Sequence, residues 1–318
     1  MQIIRGLNNL RPEDSGCVAT IGKFDGVHRG HKMVIDQLRN CGNQLGLPVT
    51  VITFEPQPPE FFSGATAPAR LTNFRDKLNA LRAAGVDRVC CLRFNRLLAA
   101  TPADDFVHRY LVQGLGIKHL VVGDDFRYGR GRTGDFDSLV AAGKHYVFNV
   151  ERMASCIIKG RRVSSSWLRQ LLEVGDFVQV CKVLGRPYKM TGRVRHGREL
   201  GRSIGFPTAN IALGQRRLIL AGVYCVRVHG MAPTALPAIS NIGYRPTIDN
   251  SKQQLLEVHI MDYSGNLYGR NLEVEIVHKV RNEQKFASID ALVSQIRKDV
   301  LVARRYFSRN KSRPVCPS

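Results

Sequence analysis

Thr20-Ile21-Gly22-Lys23-Phe24-Asp25-Gly26-Val27-His28-Arg29-Gly30-His31 continues the apolar run that begins at Cys17 and sets two imidazoles three residues apart among three glycines. Cys17-Val18-Ala19-Thr20-Ile21 reads as a buried strand, and Val34, Leu38, Cys41 and Leu45 then recur at helical spacing until Gly46 and Pro48 end the helix. The histidines therefore fall where a strand turns into a helix. Backbone N–H groups at a helix N-terminus carry partial positive charge, glycine lets a phosphate approach the chain, and imidazoles donate hydrogen bonds to developing oxyanion charge. On that chemistry Gly22, Phe24, Asp25, Gly26, His28 and His31 are candidate ATP-binding residues, with His28 and His31 the candidate catalytic groups of an adenylyl transfer. The same H-x-x-H spacing also fits a metal site or a packed turn. A structural zinc would want two more ligands at suitable spacing, and the eight cysteines include no C-x-x-C, only the adjacent Cys90-Cys91.

The chain around this stretch has 318 residues with 44% hydrophobic side chains, which exceeds the usual single domain and suffices for two cores. No stretch approaches the roughly 18 consecutive apolar residues of a membrane span, and Met1 to Arg11 lacks the apolar segment of a signal peptide, so a cytoplasmic location and no membrane partner are expected. The scattered cysteines suit buried thiols in a reducing compartment. A net charge of +21 attracts polyanions of any kind, but Arg and Lys are spread along the whole chain and no recognition module shows itself, so no specific nucleic acid is expected as a partner.

The first half alternates strand and helix. Val49 to Phe54, Arg88 to Phe94 and His119 to Val122 read as buried strands; Phe74, Leu78 and Leu81 make one helical stripe ended by Gly85, and Phe106, Val107, Tyr110 and Leu111 make another after Pro102. The expectation is an α/β Rossmann-like parallel sheet, with ligands at the carboxyl ends of its strands. There the His28 loop, Phe54-Glu55-Pro56 and Gly123-Asp124-Asp125 would converge. Near Leu184-Gly185-Arg186-Pro187 strands begin to follow strands, at Lys189 to Val194, Val223 to Val228, Ala238 to Ile242, Leu255 to Asp262 and Leu272 to Val280. This half is expected to be a small antiparallel Greek-key β-barrel closed by a C-terminal helix with Ile289, Leu292, Ile296, Val300 and Ala303 on one stripe. Asn310 to Ser318 reads as a disordered polar tail.

Four further segments carry chemistry. Gly123-Asp124-Asp125-Phe126-Arg127-Tyr128-Gly129 mixes carboxylates, an aromatic and an arginine in a Gly-bounded loop, which suits a flavin nucleotide or an ordinary polar turn that Asp125 caps. Val163-Ser164-Ser165-Ser166-Trp167-Leu168-Arg169 opens a helix, where one serine suffices as a cap. Ser164, Ser165, Ser166 and the forked Arg169 together suit a triphosphate. Gly192, Gly197, Gly201 and Gly205, interleaved with Arg193, Arg195, Arg198 and Arg202, suit a flap over a nucleotide diphosphate or a solvated basic hairpin. In extended backbone Thr208 and Asn210 share a side and offer hard oxygens to Mg²⁺, while Leu255 to Ile260 turns Glu257 and His259 away from Leu256, Val258 and Ile260. Glu257 is thus either a general base toward an alcohol or a surface glutamate.

Taken together these motifs resemble those of bacterial bifunctional riboflavin kinase/FAD synthetases. Thr20 to His31 looks like T-I-G-N-F-D-G-V-H-x-G-H with Lys23 for Asn, Gly123 to Gly129 looks like G-D-D-F-R-F-G with Tyr128 for Phe, and Val163 to Arg169 looks like I-S-S-T-x-[IV]-R with Val163, Ser166 and Leu168 substituted and Trp167 at the variable place. In the second half Pro207-Thr208-Ala209-Asn210, Leu256-Glu257-Val258-His259-Ile260, Asn266-Leu267-Tyr268-Gly269 and Arg281-Asn282-Glu283-Gln284-Lys285-Phe286 are similar to riboflavin kinase motifs, so the likeness runs over residues 1 to 308. It implies an FMN adenylyltransferase domain at 1–184, a riboflavin kinase domain at 185–308 and a tail at 309–318. It implies flavin contacts from Phe54, Pro56, Asp124, Asp125, Phe126 and Arg127, and ATP contacts from the His28 loop, the Ser164–Arg169 segment, Gly192, Arg193, Gly197, Gly201 and Gly205. It further implies Mg²⁺ held with help from Thr208 and Asn210, Glu257 as base, and riboflavin, FMN, FAD and ATP as substrates and products.

Overall fold

In the computed structural model, which describes residues 1–197, 201, 204–213, 219–246, 252–310 and 316, the chain forms two compact units, Met1–Pro68 with Lys77–Ser164 and Ala69–Asp76 with Ser165–Ser318. In chain order the first stretch gives β1 (Gln2–Arg5), β2 (Cys17–Ile21), α1 (Arg29–Leu45), β3 (Val49–Phe54), α2 (Pro58–Ser63), α3 (Phe74–Ala83), β4 (Arg88–Leu92), α4 (Arg96–Ala100) and α5 (Ala103–Phe106), which runs on as a π-helix, Val107–Gly114. β5 (Ile117–Gly123), α6 (Phe136–Tyr146), β6 (Asn149–Met153) and a small hairpin of β7 (Ile157–Ile158) and β8 (Arg161–Arg162) come next.

The six-stranded sheet has the order β1-β4-β3-β2-β5-β6 and is parallel throughout. All five residues of β2 are buried, as a central parallel strand covered on both faces requires. Strand order runs one way from β2 through β3 to β4 and the other way through β5 to β6, so the switch point, where such sheets leave a crevice, lies between the carboxyl ends of β2 and β5. Helix α1 packs Leu38 and Cys41 with Val18, Val49 and Val121, and ends at Gly46 in the left-handed conformation. That termination is the one Gly46 and Pro48 predict. Three elements carry no pattern that the sequence reveals: β1, where only Ile4 is buried, β6, where no residue is fully buried, and the two-residue strands of the hairpin.

In the second unit α7 (Ser165–Val174) and α8 (Phe177–Leu184) precede β9 (Lys189–Arg195), β10 (Ala209–Ala212), β11 (Gly222–His229), β12 (Leu236–Pro246), β13 (Lys252–Ile260), β14 (Asn271–Arg281) and α9 (Ile289–Arg309). The strands close in the order β10-β13-β12-β11-β14-β9, with antiparallel pairing at each described junction. The α/β unit followed by a barrel with a C-terminal helix is the architecture expected. The change of pattern at residue 185 does not divide the compact units, however. Phe177 of α8 packs edge-on against Tyr224, Lys279 Nζ donates to Glu173 O, and the inserted Ala69–Asp76 segment is tied in by Tyr188 Oη donating to Leu71 O and Thr191 N donating to Asp76.

Two smaller expectations are corrected. Ile289, placed on the apolar stripe of α9, is 62% exposed at the first residue of the helix; Ala303, farther on, is fully buried. The cysteines are not all reduced: Cys181 and Cys316 are joined across 135 residues, a pairing no local spacing announces, while Cys17, Cys41, Cys90, Cys91, Cys156 and Cys225 stand outside any disulfide. The rest of the expected tail beyond Asn310 lies outside the described residues.

Candidate functional sites

His28 is the N-cap of α1. Its Nδ1 accepts from His31 N at 3.4 Å, and His31 Nδ1 accepts from His28 N at 3.3 Å, so each ring satisfies the other residue's backbone donor. The rings stack with centroids 3.7 Å apart and planes 14° apart. Gly30 leaves room for this, since a Cβ there would sit 3.3 Å from the His28 ring. Both imidazoles thus use Nδ1 within the helix cap.

Phe24 and Val27 adopt positive φ, 48° and 43°, a strained conformation for non-glycine residues, and Gly26 lies at 85° between them. Phe24 and Asp25 are buried, and the Phe24 ring lies 4.8 Å from that of His31. A Cβ on Gly22 would meet that Phe24 ring at 3.0 Å. Lys77, fully buried, donates from Nζ to Lys23 O at 2.7 Å, and Thr53 Oγ1 donates to the same carbonyl at 3.4 Å. No motif in the sequence marks Lys77: it lies three residues after Phe74 and four before Leu81, on the buried face of that helix, and its anchor is a loop carbonyl 54 residues away.

Across the switch point Asp124 accepts from Ser155 Oγ at 2.6 Å and from Arg162 at 2.8 Å, and Arg162 also pairs with Asp125 at 3.0 Å. Arg127 pairs with Asp135, and Phe126 stacks on Tyr128. Ser155 and Arg162, which belong to none of the sequence motifs, therefore set the carboxylates of the Gly123–Gly129 motif. At the end of β3, Phe54 packs edge-on to Phe94, which Phe61 and Phe62 also contact; Glu55-Pro56 is a cis peptide.

Ser164 closes the first unit, whereas Ser165, Ser166 and Arg169 fold with the second. Trp167, Leu168 and Leu172 bury one face of α7, Ser166 is exposed, and Arg169 Nε donates to Ala69 O at 2.8 Å.

In the barrel a cavity of about 460 Å³ is lined by Thr208, Asn210, Glu257, His259 and Gly201 among others. Alternation on β13 works as the sequence suggests: Leu256, Val258 and Ile260 are buried while Glu257 and His259 face the cavity. Register places Glu257 opposite Asn210 of β10 on one side and Asn241 of β12 on the other, so the carboxylate sits between two amides. Asn241 carries no sequence signal, because only the pairing of β12 with β13 brings it there. His259 Nδ1 donates to Pro207 O at 2.8 Å and holds the backbone just ahead of Thr208. Arg281 bonds both carboxylate oxygens of the buried Asp299 on α9, at 2.8 to 3.1 Å, and Gln295 donates to the same carboxylate. Both partners of this ion pair belong to the cavity wall.

Of the flap residues, Gly201 lines the cavity; Gly192, Arg193, Gly197 and Gly205 stand outside its lining. Strand packing accounts for Gly192, where a Cβ would lie 2.5 Å from Ala212 O, and Asn210 crowds Gly197 in the same way. Arg193 Nε donates to Gly269 O, and Gly205 adopts φ 85°. Arg198 and Arg202 lie outside the described residues. Thr208 and Asn210 supply a hydroxyl and an amide oxygen beside the Glu257 carboxylate, a hard-oxygen set that suits Mg²⁺.

A parallel sheet that presents helix-capping imidazoles at its switch point, with a barrel whose cavity holds a carboxylate among oxygen donors, defines a two-unit protein of the nucleotide-handling class. Family comparison makes the class specific. The FAD synthetase family model matches residues 10–167 and the riboflavin kinase family model matches residues 184–307. The bifunctional riboflavin kinase/FMN adenylyltransferase of Pseudomonas fluorescens is 50% identical over 96% of this chain and 97% of its own, and that of Escherichia coli K12 is 47% identical over 98% and 99%. A crystal structure described as a macrolide-efflux protein from Streptococcus pneumoniae superposes with a TM-score of 0.76 at 27% identity, covering 96% of this chain and 99% of that one. Among the described residues no helix is long and apolar enough to cross a membrane. The chain belongs to the bifunctional riboflavin kinase/FMN adenylyltransferase family.

Proposed function

We propose that the chain phosphorylates riboflavin with ATP to give FMN and ADP, and then joins FMN to the adenylyl group of a second ATP to give FAD and pyrophosphate. The observation that carries this reading is that both family models match, one on each side of a single chain, with bifunctional relatives near half identity along nearly its whole length. We assign phosphoryl transfer to residues 185–308 and adenylyl transfer to residues 1–184.

In the barrel, Glu257 accepts the proton of the riboflavin 5′-hydroxyl as that oxygen attacks the γ-phosphorus and the bond to the ADP oxygen breaks. Asn210 and Asn241, flanking Glu257, orient its carboxylate. Thr208 and Asn210 would hold Mg²⁺, which when bound with ATP supplies positive charge against the phosphates.

In the first unit no covalent nucleophile is needed, because an FMN phosphate oxygen attacks the α-phosphorus of ATP directly and the bond to pyrophosphate breaks. Nε2 of His28 and of His31 donates to the charge that builds on the phosphate oxygens, while α1 contributes its N-terminal N–H groups. Gly22, Phe24, Asp25 and Gly26 shape the ATP pocket, and Ser164, Ser165, Ser166 and Arg169 take part in binding the triphosphate. Phe54, Pro56, Asp124, Asp125, Phe126 and Arg127 receive the flavin. Gly192, Arg193, Gly197, Gly201 and Gly205 belong to the flap over the kinase nucleotide. Consistent with riboflavin and ATP as substrates, the protein acts in the cytoplasm, without a membrane or a specific nucleic acid as partner.

The test is to incubate the purified protein with riboflavin, ATP and Mg²⁺ and to separate the flavins chromatographically over time. FMN appearing first and FAD after it is the expected course. FMN alone would remove the adenylyl assignment, and no conversion would overturn the whole reading.

A further inference from the structure

Cys41 on α1, His119 on β5 and Glu151 on β6 converge on the face of the first unit's sheet that α1 covers, and their ligand atoms lie within 4.8 Å of one another. His119 Nε2 stands 3.7 Å from Cys41 Sγ and 3.2 Å from Glu151 Oε2. Ordinary hydrogen bonding serves this arrangement poorly, because one ring nitrogen faces two groups. A proton on Nε2 that goes to Glu151 leaves Cys41 only as a weak sulfur acceptor. A lone pair on Nε2 that takes the thiol proton sets itself against the carboxylate lone pairs.

We infer that Cys41, His119 and Glu151 form a site for one divalent transition-metal ion of the zinc class, separate from both nucleotide sites. The dimensions fit. Bonds of about 2.3 Å to sulfur and about 2.1 Å to nitrogen and oxygen, opened to tetrahedral angles, put sulfur and nitrogen about 3.6 Å apart and nitrogen and oxygen about 3.4 Å apart. The observed separations are 3.7 and 3.2 Å. On binding, the Cys41 thiol releases its proton to solvent, His119 presents the Nε2 lone pair with its proton on Nδ1, and Glu151 binds through Oε2. Gln37, one turn before Cys41 on α1, already holds the other oxygen, its Nε2 donating to Glu151 Oε1 at 2.9 Å, which is the outer hydrogen bond that fixes a ligating carboxylate. The Glu151 side chain is 40% exposed, so water can complete the shell. The ion ties α1 to β5 and β6, about 20 Å along the helix from the His28 cap, and so acts on the fold and not on the chemistry.

The probe is Co²⁺, titrated optically into the full chain without nucleotide. One equivalent is expected to bind with four-coordinate visible bands and a thiolate-to-cobalt charge-transfer band, and Zn²⁺ is expected to displace it and to raise Tm. Cys41→Ser should abolish the charge-transfer band, Glu151→Gln should weaken binding at least tenfold, and Gln37→Ala should weaken it by about 10–100-fold. Cys156→Ser, which removes a half-buried thiol elsewhere in the unit, should change nothing. No sulfur band, or one that survives Cys41→Ser, overturns the proposal. Should Cys41→Ser fail to fold, the partly exposed Glu151→Gln decides, with unchanged Co²⁺ affinity and an unchanged Zn²⁺ effect on Tm as the overturning result. Conversion of FMN to FAD with Mg-ATP checks independently that each variant is folded.

Discussion

Replacing His28 with asparagine separates the two roles that its position combines. The cap role is small: His28 Nδ1 accepts from His31 N at 3.4 Å, beyond the usual N–H···O range, so the bond is worth the low end of a cap, about 0.5 kcal/mol, and asparagine, itself a favoured cap, replaces it. Folding stability should therefore stay within about 0.5 kcal/mol of the parent. The proposed catalytic role is larger. An imidazole donor aimed at transition-state charge is worth about 2.7–4 kcal/mol, so formation of FAD from added FMN and ATP should fall about 10²–10³-fold. Formation of FMN from riboflavin depends on Glu257 in the other unit and should not change. The assay supplies riboflavin or FMN separately, quantifies products chromatographically and checks folding by urea denaturation. FAD synthesis within a few-fold of the parent in a folded variant refutes the role given to His28, and an equal loss of FMN formation refutes the separation of the two sites.

Glu257→Gln should have the converse effect, lowering FMN formation by about 10²–10⁴-fold while FAD formation from added FMN persists; an unchanged kinase rate would reduce Glu257 to a cavity-wall residue. Gly42→Ala, ordinarily worth about 1 kcal/mol of added stability in a helix, should instead destabilise, because the new Cβ would lie 2.7 Å from Leu47 O, a backbone atom fixed by the turn after α1; a raised urea midpoint would contradict this. Asp299→Ala leaves the Arg281 guanidinium, 20% exposed, without its carboxylate and should lower stability by about 3 kcal/mol, the lower end for a broken buried pair; an unchanged Tm sinks the assignment. Burial holds the His278 imidazole below its ordinary value of 6.5, so the unfolded chain takes up the proton first as pH falls through 6.5. Stability from this group should then drop until pH passes the folded value and level off below it, and His278→Gln should remove that part of the Tm–pH profile.

How much of the fold is legible in the sequence depends on how locally each feature is encoded. β2, β3 and the heart of β5 are mostly apolar and almost continuously buried because a central parallel strand is covered on both faces, and α1 carries both its apolar stripe and its stop signal within one short stretch. β1 and β6 lie at the two edges of the sheet, where burial is partial and the sequences Gln2–Arg5 and Asn149–Met153 show no such run. Helices α7 and α8 look like a continuation of the βα pattern. Their membership of the barrel unit is decided by Phe177 on Tyr224 and Lys279 on Glu173, contacts that span tens of residues and leave no local trace.

The same distinction separates the two candidate sites. The His28 site is almost wholly contained in Gly22 to His31, since a strand-to-helix turn must gather its own cap, glycines and imidazoles within a few residues; the Lys77 and Thr53 anchors of Lys23 O come from afar. The barrel site is made by register. Glu257 has a carboxylate wherever it sits, but its surroundings exist because β13 pairs with β10 on one side and β12 on the other, placing Asn210 and Asn241 at either hand. A slip of one residue in either pairing would turn the partner amide to the opposite face and leave Glu257 the ordinary strand glutamate that its sequence equally allows. Asn241→Leu, which removes one amide and leaves the backbone pairing intact, therefore probes the site more sharply than any change within the motif: if Glu257 depends on being held between two amides, FMN formation should fall while FAD formation from added FMN continues, and if neither rate moves, Glu257 acts without that support.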